Sequence, residues 1–130
     1  MTVVVDATVV VAALLDAGPD GEWARDVLVS GPLAAPHLMP AEVANILRRA
    51  AQRGDVGADS ASLAHADLLA LPVELFPYEG VGERVWELRG NVTSYDACYV
   101  ALAEELDAPL ATLDARLSAA PGVRCAFISP

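Results

Sequence analysis

The chain is predicted to fold as one α/β domain over residues 1–130: a short parallel β-sheet flanked by α-helices in three layers (α/β/α). Three observations predict it. Short β-branched or fully apolar runs alternate with longer helical segments, which is the pattern of strands buried on both faces and joined by helical crossovers. No internal repeat, low-complexity tract or linker divides the chain. Its 130 residues suit one domain with a sizeable core.

In chain order, Thr2–Val5 is a β-branched run that suits a buried strand. Ala7–Leu15 and Glu22–Val29 read as helices, separated by the breaker Gly18-Pro19-Asp20-Gly21. Leu33–Ala35 is a short strand candidate before Pro36. Pro40 opens a helix that runs to Arg53 and closes at Gly54. Ala58–Leu71 is a helix stopped by Pro72, and Val73–Phe76 a strand. Glu79–Arg89 and Tyr95–Leu106 are helices, Leu110–Thr112 a strand, Ala115–Ala119 a short helix and Arg124–Ile128 a last strand. Ligands of such sheets bind beyond the carboxyl ends of the strands, so chemistry is sought there first.

Composition narrows the function. The apolar share is 55%, which raises the question of a membrane span. The longest apolar stretches, Val3–Val5 and Ala7–Leu15, are broken by Asp6 and closed by Asp16, well short of the roughly 20 residues a bilayer requires. No basic residue precedes them, so no secretion signal is expected. The expected compartment is the cytoplasm, with Cys98 and Cys125 as buried, reduced thiols.

The net charge is −10, all eight basic residues are Arg, and Lys is absent. A P-loop or a Schiff base needs Lys, so both are excluded. A passive nucleic-acid coat is disfavoured too, because such binding rests on cations neutralising phosphates. An acidic chain can still act on a polyanion when metal ions reverse the local charge. It also suits a basic partner.

Four acids stand where the predicted sheet would gather them. Asp6 ends the first strand, with the Thr8 hydroxyl two residues on; as an Asp before a helix it also suits an N-cap. Asp114 follows the strand Leu110–Thr112 and has the same two readings. Glu42 and Asp96 occupy first turns of helices, where the helix dipole alone stabilises an acid by about 0.3–1 kcal/mol. Taken together, two strand ends and two helix starts are expected to share one rim. On the Glu42 helix, Asn45, Arg49 and Arg53 continue the same stripe beside an apolar face of Val43, Ile46, Leu47 and Ala50. Asn45 is then placed to orient a carboxylate, and the arginines to guide phosphates. His37 and His65 lack zinc-type spacing and are assigned to structure. Trp23 and Trp86 are expected to pack on amphipathic helices, or to serve a partner surface.

Carboxylates crowded into one pocket repel unless protons or cations compensate. Mg²⁺, with Mn²⁺ as substitute, suits one or two direct carboxylates plus waters and leaves room for phosphate oxygens. Metal-assisted hydrolysis is the expected chemistry.

These residues also carry a resemblance. Val5-Asp6-Ala7-Thr8, Pro40-Ala41-Glu42-Val43-Ala44-Asn45, Tyr95-Asp96-Ala97 leading into Tyr99–Ala103, and Thr112-Leu113-Asp114-Ala115-Arg116-Leu117 resemble PIN-domain proteins, above all the VapC-type toxins of bacterial toxin–antitoxin pairs. The similarity runs in order over nearly the whole chain. It implies a PIN-like fold and a Mg²⁺- or Mn²⁺-dependent endoribonuclease. It further implies homodimerisation and neutralisation by a cognate antitoxin, with DNA met only through that antitoxin. By position, Asp6, Glu42, Asp96 and Asp114 match the family's catalytic, metal-binding acids, and Thr8, Asn45 and Thr112 its supporting polar residues. Many relatives carry Ser or Asn where Thr8 stands. Arg49, Arg53 and Arg116 are the candidates for holding RNA. The alternative is a catalytically inactive PIN-like module that only binds protein, against which retention of all four acids speaks. A phosphoryl-transfer receiver domain, which resembles this layout, uses a Lys near its last strand and is set aside.

Overall fold

Five parallel strands and seven helices, described by a computed structural model over residues 1–130, form a three-layer α/β/α domain. The strands are β1 (Val3–Val5), β2 (Leu33–Pro36), β3 (Val73–Phe76), β4 (Leu110–Ala111) and β5 (Phe127–Ile128). The helices are α1 (Ala7–Leu15), α2 (Pro19–Leu28), α3 (Met39–Arg53), α4 (Ala58–Ala70), α5 (Gly82–Glu87), α6 (Ser94–Glu105) and α7 (Ala115–Ser118). Spatial order in the sheet is β3-β2-β1-β4-β5. The chain therefore leaves β1 towards one edge and later enters β4 on its other side. That reversal is the switch point at which open α/β sheets form their ligand crevice, and Asp6 and Asp114 follow its two strands.

Burial explains why so apolar a sequence folds this way. Val3–Val5, Leu33–Ala35 and Leu110–Ala111 are fully buried, as central strands with helices on both faces require. Helix α6 is apolar all round from Ala97 to Ala103 and buried throughout, the mark of an interior helix. It packs across β1, β2 and β4. On α3, Val43, Leu47 and Ala50 are buried and Ile46 packs against the core, as its periodicity predicts. Gly54 closes α3 in the left-handed conformation, with φ 79°.

Several boundaries differ from those predicted. Helix α2 begins at Pro19, not Glu22, because Pro serves as a first-turn residue and Gly21 acts inside the helix as a spacer. A Cβ on Gly21 would stand 1.8 Å from the Asp16 carbonyl oxygen, so only glycine lets α2 pack this closely on the end of α1. The expected helix Glu79–Arg89 is a 3₁₀ turn, Tyr78–Gly80, followed by the short α5. Gly80 and Gly82 flank the break, and glycine weakens a helix interior by about 1 kcal/mol. The last strand shrinks to Phe127–Ile128, which pair with the two residues of β4. Upstream, the Arg124 N–H is taken by Glu104 instead of a strand partner. Trp23 packs against the core, whereas Trp86 is 63% exposed with the Arg89 guanidinium over its ring. Cys98 is buried and Cys125 half-buried, both free thiols, and burial pushes the Cys125 thiol up to about 11. His37 and His65 are both exposed. No helix is long and apolar enough to cross a membrane.

Candidate functional site

Asp6 lies at the centre of the switch point and is one of only two buried polar residues, the other being Thr112. Its role as N-cap of α1 is real: one carboxylate oxygen accepts from the Val9 N–H. The same oxygen accepts from the Thr8 hydroxyl at 2.5 Å. The other accepts from the Thr112 hydroxyl at the end of β4. Each threonine oxygen in turn accepts from the loop after β4, Thr8 from the Leu113 N–H and Thr112 from the Asp114 N–H. Two hydroxyl relays thus tie the end of β1 to the loop that carries Asp114. Thr8 and Thr112 together hold both oxygens of Asp6.

Glu42 and Asp96 come from helix starts, as their first-turn positions predict. Pro40 sits in the first turn of α3 and Glu42 follows in it. Its carboxylate accepts from the Tyr99 hydroxyl at 2.6 Å, across a sequence separation of 57 residues. Thr93 caps α6 by accepting from the Asp96 N–H, and the Asp96 side chain lines the groove together with Asp114. Asp114 caps α7 through the Arg116 N–H.

The electrostatics bind the four together. Burial raises the Asp6 pKa above the ordinary aspartate value, against the lowering hydrogen bonds from Thr112, Thr8 and Val9. Burial likewise raises Glu42; the Tyr99 bond opposes it, and repulsion from Asp96 and Asp6 adds to it. Asp96 is raised by burial and by the Asp114 charge, with Thr93 and Arg116 pulling the other way. Tyr99 is pushed far up by burial and by accepting neighbours of negative charge, so it remains a hydroxyl donor. Glu42 feels Asp96 and Asp6, Asp96 feels Asp114, and Arg116 is the one cation that enters the balance.

Proximity is not convergence. No three acidic, histidine or cysteine side chains come together on a point where they would hold a metal ion. The hydrogen bonds say why: both Asp6 oxygens face threonine hydroxyls, and one Glu42 oxygen faces Tyr99. The donor set is all oxygen and anionic, which fits a hard divalent ion held by one or two direct carboxylates with waters between it and the rest. A dry cage of four carboxylates is not what these residues build.

The remaining candidates divide. Asn45 is exposed and accepts from Arg48, so its amide is engaged along the helix and not with an acid. Arg49 is exposed on α3, and Arg53 pairs with Asp55 at 2.9 Å. Arg116 extends into solvent with its side chain 96% exposed, and lines a groove of about 540 Å³ with Asp96 and Asp114. Sequence reasoning missed Tyr99, although it stands three residues after Asp96 and hence on the same helix face. It also missed Arg89 and Asn91, which line the groove from an irregular loop that no periodicity marks.

Comparison with known proteins adds ancestry to this geometry. A family model for the PIN domain matches residues 3–123. The chain is 44% identical to ribonuclease VapC9 of Mycobacterium tuberculosis (strain H37Rv) over 123 residues, 95% of this chain and 94% of that protein. Among solved structures, PAE2754 from Pyrobaculum aerophilum has a TM-score of 0.72 at 26% identity, over 99% of this chain and 89% of the other. VapBC2 from Rickettsia felis, bound to a DNA fragment from their promoter, shares the fold at a TM-score of 0.66 and 15% identity, over 99% of this chain and 98% of that one.

Proposed function

The chain belongs to the PIN-domain family, and on that premise we propose that it is a divalent-metal-dependent endoribonuclease, the toxin of a toxin–antitoxin pair. The observation that carries this reading is the gathering of a buried Asp6 and the half-buried Glu42 and Asp96 at the switch point, their pKa values raised by burial and, for the latter two, by neighbouring acids, with a single arginine to offset them. Similarity to proteins named as ribonucleases supports it.

Asp6, Glu42, Asp96 and Asp114 are the residues that would hold Mg²⁺, or Mn²⁺ in its place. When bound, such an ion neutralises phosphate charge, polarises the scissile phosphate and activates water for in-line attack. The chain's own residues prepare the place. Thr8 and Thr112 aim the Asp6 oxygens and keep them from turning, as outer-shell donors do at metal sites. The Tyr99 hydroxyl fixes one oxygen of Glu42 and leaves the other for the rim. Asp96 and Asp114, at the open side, border the groove by which a phosphate reaches the site. Asp6 itself is buried, where charge acts more strongly than in water.

The partners follow from charge and kinship. A chain with net charge −10 is complementary to a basic segment of an antitoxin, and an antitoxin of that kind is the partner this reading calls for. A homodimer in the cytoplasm completes the reading.

The test is incubation of purified protein with total RNA in millimolar Mg²⁺, in Mn²⁺ and in EDTA, with Asp96→Asn alongside. Cleavage that requires the ion and is lost in the variant is the expected result. No cleavage in either metal, together with no ion binding by calorimetry, would leave a protein-binding module instead.

A further inference from the structure

Four of the eight arginines are held by partners within the fold. Arg25 donates to the Ala13 and Asp16 carbonyls. Arg48 is held by Asn45 and Gln52, and Arg53 by Asp55. Arg84 is locked to Glu104, Glu87 and the Gly122 carbonyl. Only Arg89 and Arg116 line the groove of about 540 Å³ that also holds Asp96 and Asp114. They stand on different elements: Arg89 on the loop after α5, with Asn91 and Thr93, and Arg116 on α7.

The two differ in how they are presented. Arg89 is preordered, its guanidinium 4.6 Å over the Trp86 ring and donating to the Trp86 carbonyl at 2.8 Å, without a carboxylate to neutralise it. Arg116 is free in solvent, and its approach to Asp114 is long at 3.8 Å. In a chain this acidic, a polyanion finds here two cations beside the carboxylates, Arg89 paired with no acid and Arg116 paired only at 3.8 Å with Asp114. On α3, Arg49 and Arg53 line no part of this groove.

We propose that this groove is the RNA-holding channel. Arg89 and Arg116 contact successive phosphates from the two walls, and the Asn91 amide meets a base edge or 2′-hydroxyl. The proposal rests on the ribonuclease reading and deepens it by naming the residues that carry the strand. Two cations in acidic surroundings suit one strand better than a duplex, whose second phosphate run would face acidic surface.

The experiment uses the full-length protein and a fluorescein-labelled, unstructured oligoribonucleotide. Steady-state kinetics in Mn²⁺ and binding by anisotropy are measured across a salt series for wild type, Arg116→Ala, Arg89→Gln and the double variant. Melting curves check that each is folded. Arg116→Ala is the safest in this respect, since that side chain is 96% exposed. Arg48→Ala, which removes equal charge outside the groove, is the control. Each groove variant is expected to raise KM about three- to tenfold with kcat within about twofold. The slope of log affinity against log salt is expected to fall by about 0.7 per arginine removed.

Unchanged KM in a double variant whose wild type cleaves RNA overturns the groove alone. So does a loss as large in Arg48→Ala, which would make the effect bulk charge, or a larger loss in Arg49→Ala or Arg53→Ala, which would move the strand to α3. Weakened binding of a protein partner with KM intact also overturns it, by giving the groove to that partner. A wild type that neither binds nor cleaves RNA removes the ribonuclease reading and the groove with it.

Discussion

Two parts of this molecule bury carboxylates, and they treat them in opposite ways. On α6, Glu104 is only 14% exposed and faces Arg84, 19% exposed, at 2.7 Å. Burial alone would raise the Glu104 pKa, but the Arg84 hydrogen bond, the Arg124 N–H and the neighbouring positive charge outweigh it and hold the carboxyl below its ordinary value. At the switch point, Asp6, Glu42 and Asp96 receive hydroxyl and backbone donors but almost no positive charge, and all three are raised. Satisfied hydrogen bonds are common to both places; charge compensation is not. A purely structural buried acid is neutralised within the fold, as Glu104 is. Acids left uncompensated beside one another in a cleft mark a place where something else brings the charge.

The largest expected effect falls on catalysis. Asp96→Asn should lower metal-dependent RNA cleavage by about 100-fold or more, given that even outer-shell partners of metal sites are worth about 10–100-fold. Its circular dichroism spectrum should stay native; an unfolded variant would return Asp96 to the structural class of Glu104. Next comes the contrasting site. Arg84→Ala leaves the partly buried Glu104 with only the Arg124 N–H, and should cost about 1–3 kcal/mol of stability with no change in metal dependence. A carboxyl that titrates below its ordinary 4.5 contributes stability that is present above that value and lost as pH falls through the folded value. Wild type should therefore lose stability in acid from this pair, and Arg84→Ala should show a shallower acid limb in urea titrations.

Thr112→Val tests the relays. Removing a buried donor to Asp6 should cost about 1–2 kcal/mol and lower cleavage about 10-fold or more, with Thr112→Ser recovering both. Recovery of stability without recovery of cleavage would assign Thr112 to the fold alone. The smallest effect is the most diagnostic. Glu42→Gln keeps an oxygen for the Tyr99 hydroxyl but removes a repelled charge, so its melting temperature should rise, on the order of 2 °C. The sign follows from a folded pKa raised above 4.5: the cost of ionising Glu42 is absent well below that value and complete above the folded one. The gain should appear as pH rises and vanish in acid. Millimolar Mn²⁺ should raise the melting temperature of wild type and less that of Glu42→Gln; equal shifts would detach the ion from this rim.

Much of this was legible in the chain. Strand and helix alternation gave the sheet, and Asp6, Asp114, Glu42 and Asp96 stood at strand ends and helix starts because those are the places where a parallel sheet opens. Thr8 was legible too, being two residues from Asp6, whereas Thr112 came only from the family resemblance. The long-range partners were not. That Tyr99 donates to Glu42, or that the Asp114 N–H feeds Thr112 and through it Asp6, depends on side-chain directions that spacing does not specify. Asn45 looked like a carboxylate's companion and found Arg48 instead, since a neighbour one turn away on an exposed helix face is closer than any acid.

The sequence by itself determined which segments are buried, because apolar periodicity answers to water and to local backbone geometry alone. It also determined the inventory of charge: acids in excess of arginines, and no Lys. Tertiary structure decided which charges are compensated. Coulomb energy depends on distance and on burial, and Arg84 and Glu104 acquire both only when the fold brings them together. For the same reason only the folded chain shows that Arg116 and Arg89 share a groove with the acids while the arginines of α3 do not.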